Sequence, residues 1–122
     1  MIYRHYKGGL YFNVGYATRF SNEFPAKNIE QVAMARYTEA KTPEEEKEIA
    51  VLFVNDKLTG STYYAYNTDV IDGVHVFYKG LDGKYWLRPV AMFLGNVEDG
   101  CPRFKKVRGV ELFDIISNLM WE

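Results

Sequence analysis

The sequence predicts a mainly β domain with minor α: a small antiparallel barrel or sheet, a short helical turn near 43–48 and a C-terminal helix over 110–121. Three observations carry this. Aromatic residues make up 16% of the chain, with ten Tyr and eight Phe, and such side chains suit a pleated, half-buried surface. Short β-type runs are separated by Gly-containing turns. Only after Gly109 does the apolar period become helical.

At the N-terminus, Ile2 to Lys7 followed by Gly8-Gly9 reads as a strand entering a tight hairpin, since glycine supplies the positive φ such turns need. The return strand spans Leu10 to Phe20. Simple alternation puts Leu10, Phe12, Val14 and Tyr16 on one face and Tyr11, Asn13 and Ala17 on the other. Ser21 to Lys27, with Pro25, is a loop. Residues 28–40 read two ways. Ile29, Val32, Ala33, Tyr37 and Ala40 fall at helical spacing, with Asn28 and Gln31 as a capping box, whereas Val32, Met34 and Arg36 alternate with Ala33, Ala35 and Tyr37. Thr42-Pro43-Glu44-Glu45 is a helix start, with a capping Thr, Pro at the first helical position and acid in the first turn. It lasts a turn or two before the β-type run Ile49 to Val54.

Asn55 to Gly60 is a turn. Ser61 to Asn67, with Tyr63, Tyr64 and Tyr66, is a further strand or an ordered aromatic loop. Asp72-Gly73 leads into a strand from Val74 to Lys79, and Gly80 to Gly83 turns it back. The next stretch, Tyr85 to Phe93, is a strand that ends at Pro89 and rolls into one helical turn. Gly95 to Val97 forms a last strand, followed by a loop from Glu98 to Pro102. Val110, Phe113, Ile116 and Met120, with Leu112, Ile115 and Leu119, form a wide apolar stripe on the final helix. No Pro- or Ser-rich linker divides the 122 residues, so one domain is expected, with a β core over about 1–107.

The bounds on function are broad. A net charge of −1 with 25% charged residues lacks the basic excess of a sequence-independent nucleic-acid binder. No apolar run approaches the roughly 20 residues that span a bilayer. The segment from Met1 to Tyr6 has no signal-peptide core, so a cytoplasmic protein is expected. A single Cys101 suits that compartment.

Two motifs, Tyr3-Arg4-His5-Tyr6-Lys7-Gly8 and Trp86-Leu87-Arg88-Pro89-Val90-Ala91-Met92-Phe93, resemble those of a small bacterial and phage family of domains of unknown function. That family has a Y-R-H-Y-K-G start and a W-x-R-P-x-x-M-F block, joined through a strand, an A-x-H-S-E-T turn and a V-V-Y strand. Ala35-Arg36-Tyr37-Thr38-Glu39 leading into Ile49 to Phe53 matches the middle segment and tilts residues 29–37 toward strand. Ala17 to Glu23 matches it nearly as well. The chain exceeds the short form of the family near 20–50 and 55–72 and in its C-terminal helix. The resemblance implies an SH3-like β fold, a bacterial host and a phage or prophage setting; it implies no activity.

Catalytic and metal-binding patterns are missing from the sequence. His5 and His75 stand at no triad-like spacing from Ser, Thr or Cys101. There is no His-x-x-x-His, Cys pair or Asp-rich loop for a metal, and Lys79 to Lys84 lacks the spacing of a phosphate loop. A non-enzymatic protein without a cofactor is therefore expected. The residues best suited to bind a ligand are Tyr3, Arg4, His5, Tyr6, Lys7, Trp86 and Arg88. On an ideal strand Arg4 and Tyr6 share one face, and Tyr3, His5 and Lys7 the other. Arg88 reads either as an ion pair that pins the turn at Pro89 or as a bidentate phosphate contact beside a stacking ring. Trp86, Met92 and Phe93 read as core before site.

Arg and Lys beside aromatics in a nearly neutral chain suit a small anionic, nucleotide-like ligand better than a nucleic acid. In the phage setting that the resemblance implies, one concrete form expected of such a protein is a sponge for a cyclic nucleotide or cyclic ADP-ribose defence signal. The alternative is an SH3-like interaction module that grips a protein, a peptide or nucleic acid. The apolar stripe over 110–121 is wider than a small barrel edge covers, which predicts a homodimer or higher even oligomer built on that helix.

Overall fold

A computed structural model describes residues 2–5, 9–21, 27–94 and 104–106. Its strands are β1 (Ile2–His5), β2 (Leu10–Arg19), β3 (Lys27–Tyr37), β4 (Ile49–Asp56), β5 (Thr62–Tyr66), β6 (His75–Gly80), β7 (Tyr85–Pro89) and β8 (Phe104–Lys106), with one helix, α1 (Val90–Leu94). The protein is mainly β with minor α, as expected from its aromatic content and turn spacing. Residues 27–37 are strand, and the aromatic segment at 62–66 is strand as well. β8 has no counterpart in the sequence reading. The helix expected over 110–121 and the strand over 95–97 lie outside the described residues.

The sheet order is β5-β4-β3-β7-β6-β2-β1-β8, and β5 also pairs with β2. Six strands therefore close on themselves, and β1 and β8 extend one side. β2 makes this possible by being long. Its first half, Leu10 to Phe12, pairs with β1, while Ala17 to Arg19 pairs with β5. Most pairings are antiparallel, as anticipated, but two are parallel: β2 with β5, and β3 with β7. The sheet is therefore mixed.

The interior of the ring is built by all six closing strands. Ala17, Ala35, Val51, Tyr66, Phe77 and Leu87 are buried together there. Phe77 stacks on Tyr85 at 5.3 Å and meets the ring of Tyr64 at 5.4 Å. Alternation on β3 is as read from the sequence, with Ala33, Ala35 and Tyr37 packed on this core. Alternation on β2 is not. The register slips between Asn13 and Gly15, leaving Val14 as a bulge, and one extra residue exchanges the two faces of a strand. Gly15 and Ala17 point inward beside Phe77 and His75, whereas Tyr11 and Asn13 lie on the outside with Tyr78. The predicted grouping of Tyr11 and Asn13 with Ala17 is thus corrected.

Local signals behave as physics requires. Thr42 Oγ1 accepts a hydrogen bond from the Glu45 amide while Glu45 Oε1 accepts one from the Lys41 amide, and one helical bond joins the Glu46 amide to the Thr42 carbonyl. The capped turn stops there, and β4 begins at Ile49. Gly83 closes the β6–β7 turn at φ 85°, a conformation that costs glycine little. Pro89 ends β7, and α1 follows at once.

Candidate functional site

Residues paired across neighbouring strands share a face, so the pairing register fixes what lies together on the outside of the ring. Tyr3 on β1 is paired with Lys106 on one side and Tyr11 on the other. Tyr11 is paired with Gly80, Tyr78 with Trp86, and Val76 with Arg88. Tyr3, Tyr11, Trp86 and Val90 pack around buried Val76 and Tyr78 in one cluster. The edge of one ring meets the face of the other between Tyr11 and Tyr78, at 5.2 Å.

Where Tyr11 is paired with Gly80, the absent side chain leaves a gap in this aromatic face. A depression of about 270 Å³ opens there, lined by Gly9, Tyr11, Gly80, Leu81, Asp82 and Trp86. A Cβ added at Gly80 would stand 2.8 Å from Asp82 Oδ1 and 3.7 Å from the Tyr11 ring, so glycine keeps the floor open. Asp82 Oδ1 accepts the Lys84 amide at 3.0 Å, which holds its carboxylate at the rim. The result is an aromatic-walled slot with an acceptor at one end.

Among the residues singled out from sequence, Tyr3, Trp86 and Arg88 are brought to this face. Arg4 is not: adjacent to Tyr3 on β1 and paired with Leu10, it faces the other way. The backbone of His5 pairs with Phe104; Tyr6 and Lys7 lie outside the described residues. Trp86 is half-buried beside the slot, and Met92 is exposed where core was expected. Arg88 is tied into the face. Its Nε donates to Tyr78 Oη at 3.4 Å, its Nη1 lies 3.9 Å from Glu39 Oε1, and its side chain is only 13% exposed. That geometry matches the ion-pair reading of Arg88. The guanidinium also opposes the rise that burial imposes on the Tyr78 phenol pKa.

Sequence reasoning missed Tyr11, Gly80 and Asp82. A signal existed in Gly80-Leu81-Asp82-Gly83, a hairpin turn beside the Trp86 strand, but only the β2–β6 pairing brings Tyr11 to it.

His75 lies on the inner face, 2% exposed, against the rings of Tyr37 and Tyr66 at 5.6 and 5.2 Å. Its Nδ1 meets the Gly73 carbonyl at 3.1 Å, which fixes the proton on that nitrogen in the neutral ring. Nε2 is buried without a hydrogen-bond partner among the described residues. Burial pushes the His75 pKa down, partly opposed by the Gly73 carbonyl and Asp72. A neutral imidazole wedged between two rings has a packing role.

No family model, curated protein or solved structure matches the chain. Among the described residues no helix is long and apolar enough to cross a membrane.

Proposed function

We propose that this is a non-catalytic binding protein for a small anionic, nucleotide-like ligand whose planar base enters the slot between Tyr11 and Trp86. One observation carries the reading: two aromatic walls flank a glycine floor, with a carboxylate at the rim. Stacking on aromatic side chains contributes about 1–3 kcal/mol per base. The Asp82 carboxylate is an acceptor for an exocyclic amino group. Lys106, on the same face as Tyr3, adds positive charge to the border of the face. An extended apolar peptide is a weaker match, because a depression of about 270 Å³ with a carboxylate in its lining offers little apolar groove.

The wider setting remains part of the proposal. It comprises the cytoplasm of a bacterial host, kinship with the phage and prophage family, and sequestration of a cyclic nucleotide or cyclic ADP-ribose defence signal. So does a homodimer or higher even oligomer formed through the helix expected over 110–121, which light scattering on the full chain tests.

The direct test is a thermal-shift screen with nucleosides, nucleotides and cyclic nucleotides. A ligand at 100 times its Kd adds about 2.7 kcal/mol of stability. Tyr11→Ala should weaken binding of any hit by about 5- to 150-fold, as loss of one stacking wall predicts. A screen without a hit at millimolar concentration rejects the proposal, and so does a hit that binds Tyr11→Ala as tightly as the parent.

A further inference from the structure

A nucleotide needs a phosphate contact as well as a base slot, and Arg88 is held within the face by Tyr78 and Glu39. A second cationic group stands closer to solvent. The parallel β3–β7 pairing sets Arg36 directly beside Trp86, so the two side chains share the outer face one strand spacing apart, about 4.8 Å. Past Trp86, on the far side of the β6–β7 turn, a second depression of about 200 Å³ is lined by Met34, Arg36, Glu48, Gly83, Lys84 and Tyr85. Its charged lining comprises Arg36, Lys84 and Glu48, one positive charge in excess.

Resting on the base-slot reading above, we infer that this depression is a phosphate subsite, with Arg36 as the principal anion contact and Lys84 beside it. The ligand class then narrows to nucleotides that carry a phosphate one sugar away from the base.

Exposure and pairing decide between the two arginines. The Arg36 side chain is 57% exposed, against 13% for Arg88. Its ion pair with Glu48 is a single Nε contact at 3.9 Å, and Glu48 is also more than half exposed. Such a solvated pair contributes at most about 1 kcal/mol. A phosphate presents paired oxygens to the guanidinium fork, which is the stronger, charge-assisted arrangement, so it displaces Glu48 at small cost. Arg88 would have to leave both a phenol and a carboxylate from a nearly buried position. The position of the subsite also limits ligand size. One Arg–Lys pair beside one base slot serves a single phosphate, which favours a cyclic mononucleotide over cyclic ADP-ribose with its two.

The test uses the full chain carrying Trp121→Phe, which leaves Trp86 as the reporter, since the sequence has two Trp. Trp86 fluorescence is titrated with four nucleosides and their 5′-monophosphates. For the best base, the monophosphate should bind about tenfold more tightly than the nucleoside, equivalent to about 1.4 kcal/mol, with the gain shrinking at high salt. Arg36→Gln should erase that ratio while the nucleoside Kd stays the same, and Arg88→Gln should preserve the ratio. Equal affinities for nucleoside and monophosphate overturn the phosphate subsite alone, as does an unchanged ratio in Arg36→Gln or a ratio lost in Lys106→Gln instead. If no nucleoside binds at all, the base slot fails and the subsite falls with it.

Discussion

Replacing Gly15 with Ala should destabilise this protein, although intrinsic preference argues the other way. Ala in a strand interior is favoured over Gly by about 0.5–1 kcal/mol, and Gly15 is not among the positive-φ glycines, so its backbone accepts Ala. The packing opposes the change. A Cβ at residue 15 would stand 3.2 Å from two carbons of the Tyr64 ring. Tyr64 has little room to move, because its ring is flanked by Phe53 at 5.2 Å and Phe77 at 5.4 Å. Forcing a methyl into such a site costs about 1–3 kcal/mol. The net expectation is a loss of about 1–2 kcal/mol, a sizeable part of the roughly 5–15 kcal/mol that holds a domain together. With a urea slope of about 1–3 kcal/mol/M, the unfolding midpoint should fall by about 0.3–2 M. In a Tyr64→Leu background the clash is gone and Gly15→Ala should become neutral or stabilising, giving a coupling energy of about 1–3 kcal/mol. A Gly15→Ala protein at least as stable as the parent would refute the packing argument, as would additive effects in the double variant.

Three further outcomes are expected. Because burial lowers the His75 pKa below the 6.5 of a free imidazole, the unfolded chain binds the proton first. Stability is therefore full above pH 6.5 and declines as pH falls from there through the lower folded pKa. Urea titrations between pH 8 and 5 should show this slope, and His75→Gln should flatten it; an unchanged slope in the variant contradicts the assignment. Tyr66→Phe removes the 2.6 Å hydrogen bond to the Gly73 carbonyl and should cost about 1 kcal/mol in the same assay, its small size reflecting the bond that His75 still makes there. Arg88→Ala should lower stability by about 1–2 kcal/mol by removing the bonds to Tyr78 and Glu39, yet leave ligand affinity nearly intact. A stable Arg88→Ala protein that no longer binds would return Arg88 to the site.

Much of the local structure is legible without coordinates, because it depends on neighbours in sequence. The positive-φ positions at Gly73 and Gly83, the Thr42–Glu45 cap and the stop at Pro89 each follow from one residue's own stereochemistry. The β class follows from short aromatic and β-branched runs between such turns. Tyr3 and Trp86 are legible by type as site candidates, being amphipathic rings beside cations, and both reach the outer aromatic cluster.

Faces and neighbours were decided elsewhere. The bulges at Val14 and Val32 exchange inner and outer positions along β2 and β3, and nothing in the residues themselves announces them. They arise where a long strand must bend to pair with different partners along its length. The parallel contacts of β2 with β5 and β3 with β7 join segments far apart in the chain, with a register set by packing Ala17, Ala35, Phe77 and Leu87 into one interior. That register puts Arg36 beside Trp86, and the antiparallel β2–β6 register puts Tyr11 over Gly80. Sequence determined which residues could stack, turn or carry charge; the closing of the ring decided which of them meet, because only burial of the shared core selects one register over its neighbours.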